Sequence, residues 1–417
     1  MRVQRAAVIG AGAMGSGIAC VLSQCGIEVL LKDVEQAAVD RGLGNIKKMF
    51  DSRVKKGMAQ TEADKLFALV QGTTSYEDFK NVDLVIEAAF EEISVKLDIF
   101  KTLDEICPPR AILATNTSAL SISEIAAATN RPEKVVGMHF FNPAQFMKLV
   151  EVIPGVKTSD ETVKVALELC RDMQKTPVKV EECPGFLVNR VLFTYMNEAL
   201  YVLQEGLATP EEIDAKVVEF GLPMGPFALF DMTGIDVCAH VNKFLYSQYG
   251  PRFSPSPLLA KMVAAGALGQ KTGAGFYLHD KNALKGEAKK INPALQEMIA
   301  QANKETASTS ETKPSGKAKG FDALRVILPM LNESIYCLQE QVVAADDIDI
   351  AMQNGCGFKI GLIAMAKEKG LAWCLQELTA YHQAHGERFR PAWLLVKLVG
   401  AQVHDFSELN KKPIAVG

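Results

Sequence analysis

Residues 139–152, HFFNPAQFMKLVEV, place a histidine and a glutamate at a spacing that could do chemistry. Two apolar stretches flank Asn142–Pro143 and a polar tip, a pattern typical of a β-hairpin. A hairpin that folds about Gln145 would set His139 opposite Glu151 on antiparallel strands. A histidine held by a carboxylate is oriented and fixed in one tautomer, as a general base requires. The alternative is a structural His–Glu pair that bridges the strands, and this segment alone leaves both open.

A glycine-rich segment near the N-terminus predicts a dinucleotide site. GAGAMG runs from Gly10 to Gly15 between an apolar strand at residues 6–10 and an apolar helix, and Asp33 ends the next predicted strand. In this context Gly10 allows the tight turn, Gly12 lets the backbone approach a pyrophosphate, and Gly15 allows close helix–strand packing. Asp33 would bind the ribose hydroxyls and repel a 2′-phosphate, which favours NAD over NADP. A structural glycine turn with an unrelated aspartate is the alternative.

Composition and charge exclude several classes of function. The net charge of −4 over 417 residues gives no basic field for nucleic acid. Nine cysteines lack the spacing of a metal site or a disulfide framework, and we expect reduced thiols and no metal. The N-terminus leaves no room for a signal peptide, and no apolar run is long enough to cross a bilayer. We therefore expect a soluble, cytoplasmic protein without a nucleic-acid or membrane partner.

Alternating strand-like and helical stretches in the first part of the chain favour a mainly parallel, doubly wound α/β sheet. The predicted strands comprise residues 6–10, Glu28 to Lys32, Val82–Ala88, Ala111–Ala114, Val135–Met138 and Leu149–Ile153. From Pro184 onward helical periodicity dominates, which predicts an all-α second part.

The helical part contains an internal repeat. RVLFTYMNEALYVLQEG at Arg190 recurs as RVILPMLNESIYCLQEQ at Arg325, and RFSPSPLLAKMV at Arg252 recurs as RFRPAWLLVKLV at Arg388. The retained Arg-Phe-x-Pro turn indicates a duplication, because two unrelated amphipathic helices would not preserve it. Residues 303–319 are polar and without periodicity, which predicts a linker between the two copies.

Two further polar segments lie where α/β proteins bind ligands. NTSAL at 116–120 follows an apolar strand, which places Asn116 and Ser118 at its carboxyl end. PGFLVNR at 184–190 opens the helical part, and Asn189 is predicted one turn into a helix, facing the sheet if Phe186 and Val188 pack elsewhere. Alternatively, Ser118 is a helix cap or an idle turn serine, and Asn189 only a helix-start residue.

Together these segments resemble the 3-hydroxyacyl-CoA dehydrogenase family over nearly the whole chain. The resemblance is carried, in order, by GAGAMGSGIA, Asp33, NTSAL, HFFNP with Glu151, PGFLVNR, LPMGPFALFD at 222–231 and GQKTGAGFY at 269–277. It implies a Rossmann-like NAD-binding domain followed by two tandem all-α domains of the family's C-terminal type, with the active site in the cleft between sheet and helices. The expected domains are 1–183, 184–302 (repeat 1) and 320–417 (repeat 2), with the linker at 303–319.

The resemblance also assigns roles by position. The family's catalytic histidine and its glutamate partner fall on His139 and Glu151, and the substrate-contacting serine and asparagine on Ser118 and Asn189. The implied reaction is reversible, NAD-dependent oxidation of a (3S)-3-hydroxyacyl-CoA to a 3-ketoacyl-CoA. The pair 3-hydroxybutyryl-CoA and acetoacetyl-CoA is one expectation, and the sequence leaves the acyl chain length open. The implied NAD contacts are Gly10, Gly12, Ala13, Met14, Gly15, Asp33, Glu91, Lys96, Asn116, Ser118, Asn142 and Lys271.

Basic residues after the second strand are candidates for binding the CoA phosphates. By resemblance Lys56 best matches the family's CoA-contacting lysine, although a solvated helix face is the alternative. The family often has a serine where this chain has Met49. The basic residues of this segment are Lys47, Lys48, Arg53, Lys55 and Lys56.

Repeat 2 is predicted to be non-catalytic, because Leu324 stands at the position of Asn189 and no copy of GQKTGAGFY follows. Shorter family members have one helical domain and dimerise through it, and a tandem copy could replace that partner about a pseudo-two-fold axis. We expect a monomer with an intramolecular pseudo-dimer of helical repeats, or a homodimer, and an exposed apolar face if residues 303–417 are deleted. The layout resembles the dehydrogenase part of multifunctional fatty-acid oxidation proteins. Butanoate metabolism, β-oxidation and aromatic-acid degradation all need such a step, and the sequence leaves the pathway open.

Two other functions are compatible with a similar architecture. One is an NAD-dependent dehydrogenase of another β-hydroxy acid, but those resembling 3-hydroxyisobutyrate dehydrogenase use a helix lysine instead of a His–Glu hairpin. The other is a structural or NAD-sensing protein that has lost activity, as some related lens proteins have. The four intact catalytic positions disfavour it.

Overall fold

The computed structural model describes residues 2–280, 290–309 and 321–406 of the chain. The chain divides into two compact units, Met1–Phe186 and Leu187–Gly417. The boundary lies within the PGFLVNR segment, close to the change of pattern that the sequence predicts at Pro184. Over the described ranges, none of the helices combines the length and the apolar character that a membrane span requires.

The first unit is built on an eight-stranded sheet with the strand order β3-β2-β1-β4-β5-β6-β7-β8. The strands are β1 (Arg5–Ile9), β2 (Glu28–Lys32), β3 (Val70–Thr73), β4 (Leu84–Glu87), β5 (Ile112–Thr115), β6 (Val135–Phe140), β7 (Leu149–Pro154) and β8 (Thr176–Lys179). All neighbouring strands run parallel except β6 and β7, which form the antiparallel hairpin. The predicted doubly wound, Rossmann-like sheet is confirmed.

Six helices connect these strands. They are α1 (Ala13–Gln24), α2 (Gln36–Val54), α3 (Gln60–Phe67), α4 (Ile93–Ile106), α5 (Ile122–Ala126) and α6 (Asp160–Asp172). The central strands are buried along nearly their whole length, because helices cover both faces of the sheet and leave no solvated side. Because both faces of these strands are buried, β1, β4 and β5 are continuous apolar runs, and they can be predicted from the sequence.

The sequence does not predict β3 and β8, the two strands at the edges of the sheet. Both are four residues long, and their sequences, VQGT and TPVK, are largely polar or contain proline. An edge strand has hydrogen-bond partners on one side only, so it needs no continuous apolar run and tolerates proline. Pairing with β2 and β7 therefore decides their conformation.

The second unit is helical and contains two matching sets of helices, which confirms the duplication. The first set is α7 (Val188–Gln204), α8 (Pro210–Phe220), α9 (Pro226–Thr233), α10 (Ile235–Tyr249) and α11 (Leu258–Ala264). After β9 (Tyr277–Leu278), β10 (Lys290–Ile291) and α12 (Leu295–Thr309), the second set is α13 (Leu324–Gln339), α14 (Ala345–Cys356), α15 (Leu362–Lys369), α16 (Leu371–His385) and α17 (Trp393–Gly400). Helices α7 and α13 of the two sets pack against each other.

Equivalent side chains make equivalent bonds in the two sets. The Asp214 carboxylate accepts the N–H groups at the start of α9, and the Asp349 carboxylate accepts those at the start of α15. The side-chain amides of Asn197 and Asn332 each donate to a backbone carbonyl a few residues before the last helix of their own set. The two copies therefore retain the same internal framework.

The predicted linker at 303–319 is wrong over its first part. Residues 303–309 continue α12, which packs on α7 and α11. The Asn303 amide donates to the Gln204 backbone carbonyl at 3.0 Å, and the Gln204 amide donates to the Asn303 side chain at 3.2 Å. These tertiary bonds stabilise a polar helix whose composition alone indicates a linker. Residues 310–319 lie outside the described residues.

Candidate functional site

The β6–β7 hairpin has the predicted register, with His139 directly opposite Glu151. The imidazole Nδ1 lies 2.7 Å from Glu151 Oε2, and the two side chains are 8% and 0% exposed. The rings of Phe141 and Phe186 lie 4.5 and 5.9 Å from the imidazole, centroid to centroid. With Glu151 ionised, Nδ1 carries the hydrogen and Nε2 keeps the lone pair that a general base uses.

The carboxyl ends of β4, β5 and β6 lie at one edge of the sheet because these strands are parallel neighbours. Asn116 joins the three ends. Its N–H donates to the Glu87 carbonyl at 2.7 Å, and its side-chain Oδ1 accepts the Phe140 N–H at 2.8 Å. Asn116 therefore fixes the backbone next to His139, whereas its expected contact with NAD remains a prediction.

Glu91 organises the loop that carries Ser118. Its Oε1 accepts the Thr117 hydroxyl at 2.6 Å, the Ser118 N–H at 2.7 Å and the Ser118 hydroxyl at 3.1 Å. Burial alone would raise the pKa of the Glu91 carboxyl, but Lys96 and these hydrogen bonds outweigh it and lower that pKa. Ser121, and not Ser118, caps helix α5, so the alternative of Ser118 as a helix cap is wrong.

A buried ion pair beneath this loop joins Glu87 and Lys96. The Lys96 ammonium lies 2.7 and 2.9 Å from the two carboxylate oxygens, and the side chains are 1% and 0% exposed for Lys96 and Glu87. The Thr115 hydroxyl also donates to Glu87, at 2.6 Å. Glu87 is not among the site residues that the sequence predicts, although a single acid at the end of an apolar strand is a signal that could have indicated it. The expected contact of Lys96 with NAD stays a prediction.

The glycine loop turns tightly at Gly10 and packs closely at Gly15. Gly10 has φ +97° and lies against the Ala88 carbonyl, and Gly15 lies against the Gly10 carbonyl, so a side chain at either position would clash. A methyl group on Gly12 would meet no atom of the described residues within 4 Å. Gly12 is also the N-cap of α1, and it provides no side chain to cap the first-turn N–H groups.

Asp33 is held at the end of β2 beside this loop. Its Oδ2 accepts the Ala11 N–H and its Oδ1 accepts the Val34 N–H, both at 2.7 Å. The first turn of α1, which begins at Ala13 and Met14, contains no acidic residue. An open backbone, uncapped N–H groups and a fixed carboxylate fit the pyrophosphate and ribose of NAD.

The remaining predicted contacts lie in more exposed positions. Asn142 is exposed and precedes a cis bond to Pro143. Lys56 follows the end of α2 in a turn, with its ammonium 5.9 Å from the Phe146 ring, so it is not part of the predicted helical segment. Met49 packs against the core of the first unit, as a half-buried residue of α2 does.

Two predicted site residues belong to the second unit. Asn189 is half-buried and is the second residue of α7, so it lies in the first turn of the helix and not one turn into it. The Lys271 ammonium is paired with the Asp236 carboxylate. In the described ranges, no three or more His, Cys, Asp or Glu side chains are grouped as a metal site. The nine cysteines all lie in the described ranges, and none of them is joined in a disulfide.

Family models match most of the chain. The NAD-binding domain of 3-hydroxyacyl-CoA dehydrogenase matches residues 5–183. The C-terminal domain of the same family matches twice, at residues 185–279 and 320–407, in agreement with the two sets of helices.

Related proteins divide into shorter and longer types. A 3-hydroxybutyryl-CoA dehydrogenase of Clostridioides difficile is 49% identical over 280 residues, which cover 66% of this chain and 99% of that protein. A fatty acid oxidation complex subunit alpha of Shewanella amazonensis is 39% identical over 400 residues, or 94% of this chain. The chain spans only 55% of the length of that subunit.

A solved structure matches the chain as a whole. The crystal structure of 3-hydroxybutyryl-CoA dehydrogenase from Escherichia coli K12 covers 96% of this chain and 99% of its own, with a TM-score of 0.84 and 32% identity. The chain belongs to the 3-hydroxyacyl-CoA dehydrogenase family and is an NAD-dependent oxidoreductase acting on CH–OH groups.

Proposed function

We propose that this chain catalyses the reversible oxidation of a (3S)-3-hydroxyacyl-CoA to the 3-ketoacyl-CoA, with His139 as the general base. The observation that carries the proposal is the buried His139–Glu151 pair beside the strand ends that hold Ser118. Relatives named 3-hydroxybutyryl-CoA dehydrogenase support 3-hydroxybutyryl-CoA and acetoacetyl-CoA as the substrate pair.

In the proposed mechanism each side chain has a defined task. His139 accepts the proton of the C3 hydroxyl at Nε2, while Glu151 holds the Nδ1 hydrogen and balances the charge of the imidazolium. The glycine loop and Asp33 would hold NAD⁺, which would supply the acceptor for the C3 hydride. Ser118 and Asn189 hold the C3 oxygen and so align the thioester. In the reverse direction His139 donates the proton.

Other parts of the proposal concern binding and assembly. Lys56 and the neighbouring basic residues would contact the CoA phosphates. Repeat 2 would take the place of a partner subunit against repeat 1, which gives a monomer with paired repeats or a homodimer formed through another surface. The packing of α7 on α13 supports this role.

The reaction is tested by following NADH oxidation with acetoacetyl-CoA, with a longer 3-ketoacyl-CoA and with free acetoacetate. We expect turnover with the thioesters, little with the free acid, and a preference for NADH over NADPH because of Asp33. The variant His139→Gln should lose turnover while it still binds NADH. Turnover of the free acid alone would favour the alternative, a dehydrogenase of another β-hydroxy acid, and overturn the proposal.

A further inference from the structure

A buried cluster of opposite charges lies where α7 of repeat 1 packs against α13 of repeat 2. The Arg190 guanidinium, which is fully buried, lies 2.6 Å from Glu333 and 2.7 Å from Glu340. Arg252, in the short 3₁₀ helix after α10, lies 3.1 Å from Glu333. The Tyr249 ring covers Arg190, with its centroid 4.4 Å away. Both arginines of repeat 1 are therefore neutralised by carboxylates of repeat 2.

A second cluster reverses the contributions of the two repeats. Arg325 of repeat 2 lies 2.9 Å from Glu198 and 2.6 Å from Glu205, both in repeat 1. Arg388 lies 2.7 Å from Glu198. These residues occupy the positions of Arg190, Glu333, Glu340 and Arg252 in the repeat alignment. Each repeat thus neutralises the buried charges of the other.

The two clusters differ in what lies next to them along the chain. Arg190 directly follows Asn189, and both are in the first turn of α7. The equivalent Arg325 directly follows Leu324. The N–H groups in the first turn of a helix have no intrahelical partner, so a buried side-chain anchor there has a large share in fixing the position of the turn. Because consecutive Cα atoms are about 3.8 Å apart, a shift of Arg190 must also move Asn189.

We propose that Glu333 of repeat 2 is a positioning residue for the dehydrogenase reaction. It holds Arg190 and, through Arg190, the first turn of α7 that presents Asn189 to the substrate. The inference rests on the proposed function, in which Asn189 contacts the thioester. Repeat 2, which has no copy of this asparagine, would then act on the reaction from outside the site.

The pseudo-symmetry of the clusters provides a matched control for the test. Glu333→Gln and Glu198→Gln each remove one buried carboxylate that faces two arginines. Both should lower the unfolding temperature to a similar extent. Only Glu333→Gln should lower kcat/KM for acetoacetyl-CoA, by roughly 10- to 100-fold, with KM for NADH unchanged, because a small misplacement of a substrate-aligning group is costly. Glu198 lies on α7 itself, so a general disturbance of that helix would affect the control variant at least as strongly.

A double-mutant cycle with Asn189→Ala shows whether Glu333 acts through Asn189. In the Asn189→Ala background, Glu333→Gln should cause no further loss of kcat/KM. If Asn189→Ala alone has no effect, the proposed role of Asn189 is wrong, and the inference fails with it. If Asn189→Ala lowers activity but the two glutamine variants behave alike, the role of Asn189 stands and the positioning role of Glu333 is overturned. Should a glutamine variant fail to fold, Glu333→Asp and Glu198→Asp provide the same comparison.

Discussion

Removal of repeat 2 should convert this chain into a homodimer. The cut belongs after Thr309, because a deletion from residue 303 would divide α12 and break its bonds to Gln204. A relative aligns with 280 residues of this chain over 99% of its own length, which is too short to include both repeats. The structural reason for dimerisation is that the surface of repeat 1 which faces repeat 2 is self-complementary. Arg190 and Glu198 of one copy can pair with Glu198 and Arg190 of another.

The expected dissociation constant of this dimer follows from the groups that the truncation exposes. Arg190 and Glu198 are 0% and 1% exposed, and α7 is buried at 14 of its 17 residues, so loss of α13 exposes both apolar and charged groups. Breaking a buried ion pair costs about 3–5 kcal/mol, so two re-formed pairs contribute at most ~6–10 kcal/mol to the free energy of dimerisation. The actual contribution is smaller, because water hydrates the exposed charges of the truncated monomer. A dissociation constant near 1 µM corresponds to ~8 kcal/mol. We therefore expect a dimer in the micromolar range.

Sedimentation velocity over roughly 0.1–100 µM protein, a range that brackets this constant, measures the effect. The truncated chain should change from monomer to dimer with rising concentration. Arg190→Glu should abolish the dimer, and Arg190→Glu combined with Glu198→Arg should restore it, because the charge swap recreates both pairs across a two-fold axis. A truncated chain that stays monomeric throughout, and is as stable as the full chain, would refute the reasoning.

The remaining predictions concern the first unit. Glu151→Gln should lower kcat by about 10²–10⁴-fold with little change in KM, as loss of imidazolium stabilisation requires; steady-state kinetics with acetoacetyl-CoA measure this, and an unchanged kcat contradicts it. Asp33→Ala should shift the ratio of kcat/KM for NADH and NADPH by about 10-fold, ~1.4 kcal/mol, towards NADPH, and an unaltered ratio would remove Asp33 from cofactor selection. Glu87→Gln should destabilise the fold by about 3–5 kcal/mol in urea denaturation, and adding Lys96→Met should recover much of that loss, because the unpaired buried charge is then gone. The lowered pKa of Glu91 means that its contribution to stability is present above the unfolded value near 4.5 and is lost as pH falls through the lower folded value. Stability below pH 4.5 should thus depend less on pH in Glu91→Gln than in the unaltered chain, as pH-dependent denaturation would show.

The hairpin and the glycine loop could be predicted from the sequence because local patterns determine them. Alternation about Asn142–Pro143 sets the register that pairs His139 with Glu151, and the GAGAMG spacing sets the turn. The start of α7 was predicted less well, since Gly185 and Phe186 both adopt positive φ and place the helix start at Val188. Such a turn depends on packing that a sequence pattern does not contain.

The polar groups beneath the Ser118 loop could not be predicted in the same way. Glu87 is one acid in an apolar strand, and its ion pair with Lys96 depends on how α4 folds back over β4. The ion pairs between the two repeats also could not be predicted from the sequence. The repeat alignment shows that Arg190 and Arg325 are equivalent, but equivalence at an offset of 135 residues does not reveal which carboxylates they face. That information lies only in the tertiary structure.

The reciprocal charge clusters join two copies that are encoded once each, and this frees them to diverge. In a homodimer every substitution enters the interface twice, so its cost is doubled and symmetry is enforced. Here a substitution in one copy leaves the sequence of the other copy unchanged. Tyr249 covers Arg190, whereas the equivalent residue of repeat 2 is His385, and Pro329 stands within α13 where α7 has Thr194. The arginines and glutamates are retained because each serves the opposite copy, while the rest of repeat 2 is free to specialise as a scaffold.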